Sequence, residues 1–220
     1  MHYTPTSALT LAADPSITDE SIVGRVLGGE KQAYEVIMRR YNERLYKIAR
    51  TYVKDEDAIE DILQETYVKA YENLGKFEGR SQLSTWLTRI LINEALASIN
   101  KTSKLDAFSD QIVSPDIKKV QSAEHQVIRK NMQEVIEKAI DGLPQKYSSV
   151  FVMRELEGMN IREVAHALDI SEENVKVRLF RAKKALQEVL RKSMDGMNLY
   201  SFGGQRCNRI TEQVMNRIRT

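Results

Sequence analysis

Residues 160–192 read NIREVAHALDISEENVKVRLFRAKKALQEVLRK, and this stretch decides the fold of the C-terminal half. It predicts a short helix over Arg162–Leu168, a tight turn at Asp169–Ser171 and a second helix that continues to Lys192. Apolar residues recur at helical spacing along the second helix and form one face. These residues are Val175, Leu179, Ala182, Leu186 and Val189. The pattern is typical of a helix-turn-helix unit whose second helix is buried on one side.

The other side of the second helix is cationic. The helix carries seven Lys or Arg residues against three Glu. At about 100° per residue, four residues point away from the apolar face. They are Glu173, Val177, Arg181 and Lys184. Such a helix suits the major groove of DNA, where side chains reach base edges and cations neutralise phosphates. A solvated surface helix is the alternative, and the preceding helix and turn favour DNA.

Charge and cysteine content limit the class of protein. The chain of 220 residues has 33 basic and 31 acidic residues, a net charge of +2. Residues 1–101 hold 13 basic and 15 acidic residues, whereas residues 102–220 hold 20 and 16, so the positive excess lies in the C-terminal half. The single cysteine, Cys207, excludes a disulfide framework and a multi-cysteine zinc site. We expect neither a metal nor a cofactor.

The sequence gives little support for a membrane protein, a secreted protein or an enzyme. No apolar run approaches the length of a membrane span and the N-terminus lacks a signal peptide, so we expect a cytoplasmic protein. No glycine-rich phosphate loop, nucleophile elbow or spaced acid pair appears, so an enzyme is not expected. Cys207 is open to two interpretations, a redox- or metal-sensing thiol or a small apolar residue that packs a terminal helix.

The chain as a whole is predicted to be all-α, with two small helical domains joined by a flexible linker. In the first half, helical periodicity predicts a short helix capped by Thr18, then helices over about 30–54, 55–74 and 83–100. No segment alternates as a strand does. The predicted boundaries are a flexible N-terminus over 1–17, a helical domain over 18–101, a linker over 102–119, the helix-turn-helix domain over 120–192, and a tail over 193–220.

The segment DEDAIEDILQE, residues 55–65, concentrates negative charge on one predicted helix. It holds six acidic residues and no basic one. Asp61, Gln64 and Glu65 are spaced to share one exposed face. This face suits docking on a basic protein surface, and a simply solvated face is the alternative.

The segment FEGRSQLSTWLTRILINEALASINK, residues 77–101, joins a polar loop to a helix with the only tryptophan of the chain, Trp86. Basic and amide groups here lie beside aromatic rings. Unpaired bases are held by stacking on aromatic planes, while amides and hydroxyls read their edges. The alternative makes Trp86 a core anchor, given the leucines around it, and both roles are compatible.

Taken together, three stretches carry a resemblance. DAIEDILQETYVKAY (57–71), FEGRSQLSTWLTRI (77–90) and LPQKYSSVFVMRELEGMNIREVAHALDISEENVKVRLFRAKKAL (143–186) strongly resemble the extracytoplasmic-function (ECF) sigma factors of bacteria. These are two-domain minimal members of the main bacterial sigma family. The resemblance covers about residues 20–192, with the blocks in the same order.

The resemblance implies a division of labour. The N-terminal domain would bind the clamp of the RNA polymerase largest subunit and open the −10 promoter element. The C-terminal domain would bind the −35 element as duplex, and the linker would run towards the active-site cleft and RNA exit path. The implied partners are core RNA polymerase, promoter DNA and an anti-sigma factor.

The resemblance also assigns residues to each task. The residues implied to bind the polymerase are Asp57, Asp61, Gln64 and Glu65. Those implied to bind the −10 strand are Arg80, Ser81, Gln82, Ser84, Trp86, Arg89 and Asn93. Those implied to bind the −35 element are Ser171, Glu173, Asn174, Lys176, Arg178, Arg181, Lys183 and Lys184. Glu173 and Val177 depart from the family, which often has a small residue at the first position and a small polar one at the second.

The sequence therefore favours a non-enzymatic, dissociable promoter-specificity subunit of bacterial RNA polymerase. An ordinary helix-turn-helix repressor or activator is the alternative, and its N-terminal half would bind a ligand or form a dimer. An acidic docking face and a base-capturing loop argue against it, because a repressor needs neither. An enzyme that acts on nucleic acid would need metal ligands or an acid–base pair, and the sequence offers no such set.

Overall fold

A computed structural model describes residues 17–106 and 125–194, together with Arg209. Within these residues every regular element is helical and there is no strand, so the predicted all-α class is confirmed. Three predictions lie outside the described residues. They are the flexible N-terminus up to residue 16, the part of the predicted linker over 107–119, and the role of the tail with Cys207.

The N-terminal domain consists of four helices and two 3₁₀ turns. The helices are α1 (Asp19–Leu27), α2 (Tyr34–Ala49), α3 (Glu56–Glu72) and α4 (Leu83–Asp106), and the 3₁₀ turns are Lys31–Ala33 and Leu74–Lys76. Thr18 Oγ1 caps α1 by accepting from the Ser21 amide at 3.2 Å, as its position before two acidic residues predicted. Asp55 Oδ1 caps α3 in the same way, accepting from the Ala58 amide at 2.9 Å.

Two of the predicted helices have different bounds in the structure. The helix predicted over 30–54 is split, because α2 begins only at Tyr34 and ends at Ala49. Its end is marked by the Thr51 hydroxyl, which donates to the Ile48 carbonyl at 2.7 Å and so competes with the helical pattern. In contrast, α4 continues to Asp106, into the predicted linker. No Gly or Pro between Leu83 and Asp106 stops it.

The core of the N-terminal domain lies where α4 packs across α2 and α3. Its fully buried side chains are Ile22, Ile37, Leu45, Ile48, Ile59, Leu87 and Leu91. A tyrosine cluster closes one end of this core. The Tyr34 hydroxyl donates to the Tyr67 carbonyl at 2.7 Å, and the two rings meet edge to face. This rigid core fixes the start of α4, and with it the polar loop that leads into the helix.

The C-terminal domain has four helices, α5 (His125–Asp141), α6 (Gln145–Phe151), α7 (Ile161–Leu168) and α8 (Glu172–Met194), with a π-helical turn at Val152–Leu156. A reciprocal capping box starts α7. Asn160 Oδ1 accepts from the Glu163 amide at 2.9 Å, and Glu163 Oε2 accepts from the Asn160 amide at 2.7 Å. Asp169 ends α7 with a left-handed backbone, φ +54°. The predicted helix-turn-helix is therefore confirmed.

The buried face of α8 follows the prediction except at its end. Val175 and Ala182 are fully buried, and Leu186 is 7% exposed. Val189, which was predicted to be buried, is 40% exposed. The last turns of α8 approach α5 through Leu186 and Leu190, which turns Val189 outward.

The two domains touch in this structure. Helix α4 packs on α7, and α2 meets the π-helical turn that follows α6. Four ion pairs cross the boundary, between cations at or just after the C-terminal half of α2 and two carboxylates, Asp141 and Glu157.

Substitution of Leu87, at the centre of this packing, tests the N-terminal core. Leu87→Ala should lower the free energy of unfolding by about 2–5 kcal/mol, because its side chain is 0% exposed and leaves a cavity. Leu96→Ala on the same helix is the matched control, since Leu96 is 45% exposed, and it should cost less than about 0.5 kcal/mol. Urea unfolding followed by Trp86 fluorescence measures both, and equal losses would contradict the assigned core.

Candidate nucleic-acid interface

The outward face of α8 forms the first candidate site. Its predicted outward residues Glu173, Val177, Arg181 and Lys184 are all exposed, opposite the buried Val175 and Ala182. Lys176 and Asn174 are also exposed. We call this face, from Ser171 to Lys184, the recognition surface. Its cations lie on a helix that packs against the core of the domain, and this packing suits a helix that recognises DNA.

Several of these side chains already have partners within the domain. Arg178 Nε donates to Asn174 Oδ1 at 2.9 Å, and Lys183 Nζ lies 2.9 Å from Glu155 Oε1. The Ser171 hydroxyl accepts from the Asn174 amide at 3.2 Å, so it caps α8. Arg178 and Lys183 must exchange these partners for phosphate if they bind DNA.

Arg181 is oriented by a tyrosine of α6. Its Nη1 donates to the Tyr147 hydroxyl at 3.3 Å. This hydrogen bond and the nearby positive charges of Lys146, Arg181 and Arg178 lower the pKa of Tyr147 below its usual value. Tyr147 therefore belongs to the recognition surface, although the sequence analysis did not single it out.

The sequence analysis also missed an apolar patch on the recognition surface. Phe180 is 68% exposed and lies one turn from Val177, which is 48% exposed. A large exposed apolar side chain on a cationic helix is the informative exception among surface residues. The exposure of Phe180 could have been predicted from the helical period, because Phe180 lies about 140° from the buried Val175, on the outward side.

The loop over residues 77–82 forms the second candidate site. Gly79 has φ +68°, a left-handed conformation that turns the loop back towards α4. The loop and the first turns of α4 line a concave cavity that includes Arg80, Ser81, Gln82 and Trp86. We call it the Trp86 cavity. Trp86 is half-buried against the core and also lines this cavity, so a place in the core and a ring face towards a ligand are compatible in one side chain.

Aromatic and charged groups shape the Trp86 cavity. The rings of Phe77 and Trp86 lie 5.3 Å apart at an angle of 50°. Arg80 is 83% exposed in its side chain and pairs with Glu78 at 2.5 Å. This arrangement offers an aromatic surface beside an exposed cation, which suits a planar ligand carrying a phosphate.

Three predicted −10 residues lie outside this cavity. Ser84 is 3% exposed, and its hydroxyl donates to Gln82 Oε1 at 3.4 Å, so it faces the protein rather than a ligand. The direct base contact predicted for Ser84 is therefore not available in this structure. Arg89 and Asn93 are exposed on successive turns of α4, on the same side as Trp86. They continue the Trp86 side of the helix beyond the cavity.

The third candidate site is a groove between α2 and α3. Predicted residues Asp57, Asp61, Gln64 and Glu65 are all exposed on α3, and Gln64 lines this groove. Other groove residues on α3 are Glu60, Leu63, Val68 and Tyr71, and those on α2 include Met38, Asn42 and Glu43. We call it the acidic groove.

The acidic groove has an apolar floor that the sequence analysis missed. Val68 is 52% exposed and Tyr71 38% exposed. The spacing of Gln64, Val68 and Tyr71 along α3 held the signal for one wall. The α2 wall could not be predicted, because it depends on how the two helices pack. An apolar floor with acidic rims fits a basic, amphipathic partner helix.

Metal chemistry finds no site in the part of the chain that the structure describes. No group of three or more His, Cys, Asp or Glu side chains gathers there in a way that could hold a metal ion.

None of the helices in residues 17–106 and 125–194 is long and apolar enough to cross a bilayer.

Comparison with known protein families matches both domains. Sigma-70 region 2 matches residues 37–105, and Sigma-70, region 4 matches residues 133–186. Together the two matches span more than half of the chain. The first contains Trp86 with its loop and most of the acidic groove, and the second contains the recognition surface.

Whole-length relatives agree with these matches. The chain is 27% identical over 186 residues to the ECF RNA polymerase sigma-E factor of Haemophilus influenzae, covering 81% of this chain and 98% of that protein. It is 29% identical over 181 residues to the RNA polymerase sigma-H factor of Pseudomonas aeruginosa, covering 78% and 93%.

A solved structure shares the fold. The sigma factor RpoE of Bartonella quintana, crystallised with the anti-sigma factor NepR, superposes with a TM-score of 0.59 at 24% identity, over 72% of this chain and 96% of that one. The region 2 match, the region 4 match and the near-complete coverage of sigma-E and sigma-H relatives lead to one conclusion. The chain belongs to the sigma-70 family, and it is a sigma factor of the ECF type, a promoter-recognising factor for the initiation of transcription.

Proposed function

We propose that this sigma factor uses three surfaces for three partners. The recognition surface binds the −35 element, the Trp86 cavity holds a base of the melted −10 strand, and the acidic groove docks on the clamp of core RNA polymerase. The observation that carries the proposal is the presence, in one chain, of a duplex-reading helix and an aromatic cavity suited to a single base. A repressor that binds only duplex DNA has no use for the second.

The mechanism is differential binding. The Trp86 cavity accepts a base only after that base has left the duplex, so it binds the open promoter and not the closed one. A ligand that binds one state preferentially shifts the equilibrium towards that state. Opening is thus favoured without a catalytic step in this chain, and nucleotidyl transfer belongs to the polymerase. Because bacterial promoter DNA lies in the cytoplasm, we expect the chain to act there.

We assign two kinds of contact to the recognition surface. Arg181, oriented by Tyr147, and the exposed Phe180 are placed to reach base edges. Arginine reads guanine, and an apolar ring contacts the thymine methyl group. Lys176 and Lys183 lie to the side and are placed for phosphates, which fix register without reading sequence.

The contrast between Arg181 and Lys183 gives a test. In holoenzyme, Arg181→Ala should weaken binding to the cognate −35 element by about 1–3 kcal/mol and relax preference at one or two positions. Lys183→Ala should weaken binding about equally on cognate and scrambled elements and reduce the salt slope by at most about one unit. Titrations on both DNAs at several salt concentrations measure this. A uniform loss in both variants would make α8 a phosphate clamp only.

In the Trp86 cavity we assign Gln82 to the base and Ser84 to holding Gln82. Gln82→Ala should slow promoter opening by about tenfold or more, with little effect on the closed complex. Ser84→Ala should have a smaller effect, and the double variant should be no worse than Gln82→Ala alone, because both act through one side chain.

The measurement is stopped-flow fluorescence of a base analogue at the −10 element, on duplex and on pre-melted fork templates. Asn93→Ala, on the same helix but outside the cavity, serves as a comparison for effects on strand affinity alone. Opening rates that do not change in Gln82→Ala would remove the base-capture role from this cavity.

On the exposed face of α3, Asp61→Ala beside the acidic groove with Gln64→Ala in its lining should weaken binding to core polymerase by about tenfold, because a charge and an amide are lost from the docking face. The control is Glu134→Ala, which removes one negative charge from an exposed position on α5. It should leave the Kd for core polymerase unchanged. Fluorescence anisotropy of labelled chain gives the Kd, and circular dichroism checks helix content. Co-elution of wild-type chain with core on a sizing column tests the proposed function as a whole, and its failure would favour the repressor.

Two related sigma factors of known structure point to a further partner. RpoE of Bartonella quintana is bound there to the anti-sigma factor NepR, and CnrH, similar with a TM-score of 0.57 at 22% identity, to the cytosolic domain of CnrY. We propose that this chain is likewise held by an anti-sigma factor. Pull-down of proteins encoded beside it with the tagged chain tests this.

A further inference from the structure

A groove between α5 and α8, which we call the α5–α8 groove, lies apart from the three surfaces proposed above. Its apolar lining comes from both helices and from the end of α6, and consists of Ile136, Ala139, Phe151, Leu186 and Leu190. The groove has a volume of about 680 Å³, and Ile136 in its lining is 40% exposed. A concave apolar surface of this size is typical of a site that binds apolar side chains.

Charge does not select the occupant of this groove. Its polar lining residues are Lys183, Gln187 and Arg191, and both cations are paired within the domain. Lys183 Nζ lies 2.9 Å from Glu155 Oε1, and Arg191 Nη2 lies 3.1 Å from Glu188 Oε1. Such exposed pairs neither attract nor repel a further charged segment strongly. Apolar burial therefore has to supply the affinity, and a suitable occupant needs an apolar stripe.

The sequence after α8 contains such a stripe. Residues 206–220 read RCNRITEQVMNRIRT. Four of their apolar side chains recur at intervals of three or four residues, which places them within about 80° on one side of a helix. These residues, which we call the tail stripe, are Cys207, Ile210, Val214 and Ile218. By the same period Arg209 lies on the opposite side. It is the one residue of this segment that the structure describes, and it is helical and exposed.

The end of α8 brings the tail close to the groove. Arg191, which lines the groove, lies three residues before Met194, where α8 ends. The connection over 195–205 has eleven residues, three of them glycine, and spans up to about 36 Å when extended. That length lets the chain turn back along α8, whose groove-lining part from Lys183 to Arg191 is about 12 Å long. A tether this short gives an effective concentration of the order of millimolar, so a modest affinity suffices.

We propose that the tail stripe packs as a helix into the α5–α8 groove of the same chain. The short connection favours the antiparallel direction, which sets Cys207 beside the end of the groove formed by Gln187 and Arg191. Cys207 is then a small apolar residue that packs a terminal helix, one of the two interpretations that the sequence left open. This docking belongs to the C-terminal domain alone and does not rest on the proposed function.

A disulfide between the tail and the groove tests the docking. Cys207 is the only cysteine of the chain, so one introduced cysteine gives a defined pair. Gln187→Cys places a thiol on the lining of the groove, and diamide, which takes up the two thiol hydrogens, should join it to Cys207 within one chain. Glu188→Cys is the matched control, since its side chain is exposed on the same helix but outside the groove. The disulfide should form at least about fivefold faster in Gln187→Cys, as measured on non-reducing gels and by intact mass.

The reactivity of Cys207 gives a second measurement, on chains without an added cysteine. Ile136→Glu puts a charge into the apolar groove, so the tail should leave it and Cys207 should react at least about fivefold faster with a thiol reagent. Gln133→Glu makes an equal change in charge at an exposed position of α5 outside the groove, and it should leave the rate unchanged. Circular dichroism checks that both variants keep their helix content.

Variants of the tail complete the test. Ile210→Glu with Val214→Glu removes two members of the tail stripe and should slow the disulfide of Gln187→Cys by about fivefold or more. Asn208→Glu with Asn216→Glu makes the same change in charge away from the stripe, and should leave the rate within about twofold of the parent. Because these substitutions all lie after α8, they do not touch the core of either domain.

The proposal is overturned by any of the following results. Equal rates for Gln187→Cys and Glu188→Cys would mean that the tail does not lie in the groove. Disulfides between chains, with a yield that rises with concentration, would make a second copy the occupant. A loss of core polymerase binding in Ile136→Glu, with no change in the reactivity of Cys207, would assign the groove to the polymerase. Failure of the wild-type chain to bind core would instead contradict the proposed function and leave the tail docking standing.

Discussion

The apolar side of α4 must be buried, and its packing positions most of what the chain uses. Leu87 and Leu91 lie at 0% exposure against α2 and α3, which fixes the rotation of the helix about its axis. That rotation leaves Trp86, Arg89 and Asn93 on one side and sets the direction from which the polar loop enters. The same helix meets α7 of the other domain. Core packing, the Trp86 cavity and the contact between domains are therefore coupled through one element.

Much of this could be predicted from the sequence, where the signal lies within one element. The apolar face of α8 as far as Leu186, the cap at Thr18 and the turn at Asp169 are local features, and the structure confirms them. The helical period of α8 also places Phe180 on the outward side, but the sequence analysis did not include this apolar residue in the outward face. Local patterns fail at helix ends, as at Ala49 and Asp106, because capping and packing compete there by small energies.

Features made by two elements could not be predicted. The acidic groove needs the spacing between α2 and α3, and Gln64 becomes part of it only because Met38 and Asn42 stand opposite. The pairing of Asp141 and Glu157 with α2 joins residues about a hundred positions apart, for which no periodicity exists. Ser84 shows the same limit on a smaller scale. Its place in the motif suggested contact with a base, but the rotation of α4 turns it into the protein.

The connection between Asp106 and His125 gives the contact between the domains a further meaning. Only 18 residues separate the two helix ends, so each domain meets the other at a high effective concentration, of the order of millimolar for a short tether. Four ion pairs of this kind would contribute too little to join two separate molecules in solution. Within one chain they need less strength, because the tether already limits the translational freedom of the two domains. A contact of ordinary strength between either domain and another molecule could therefore replace them.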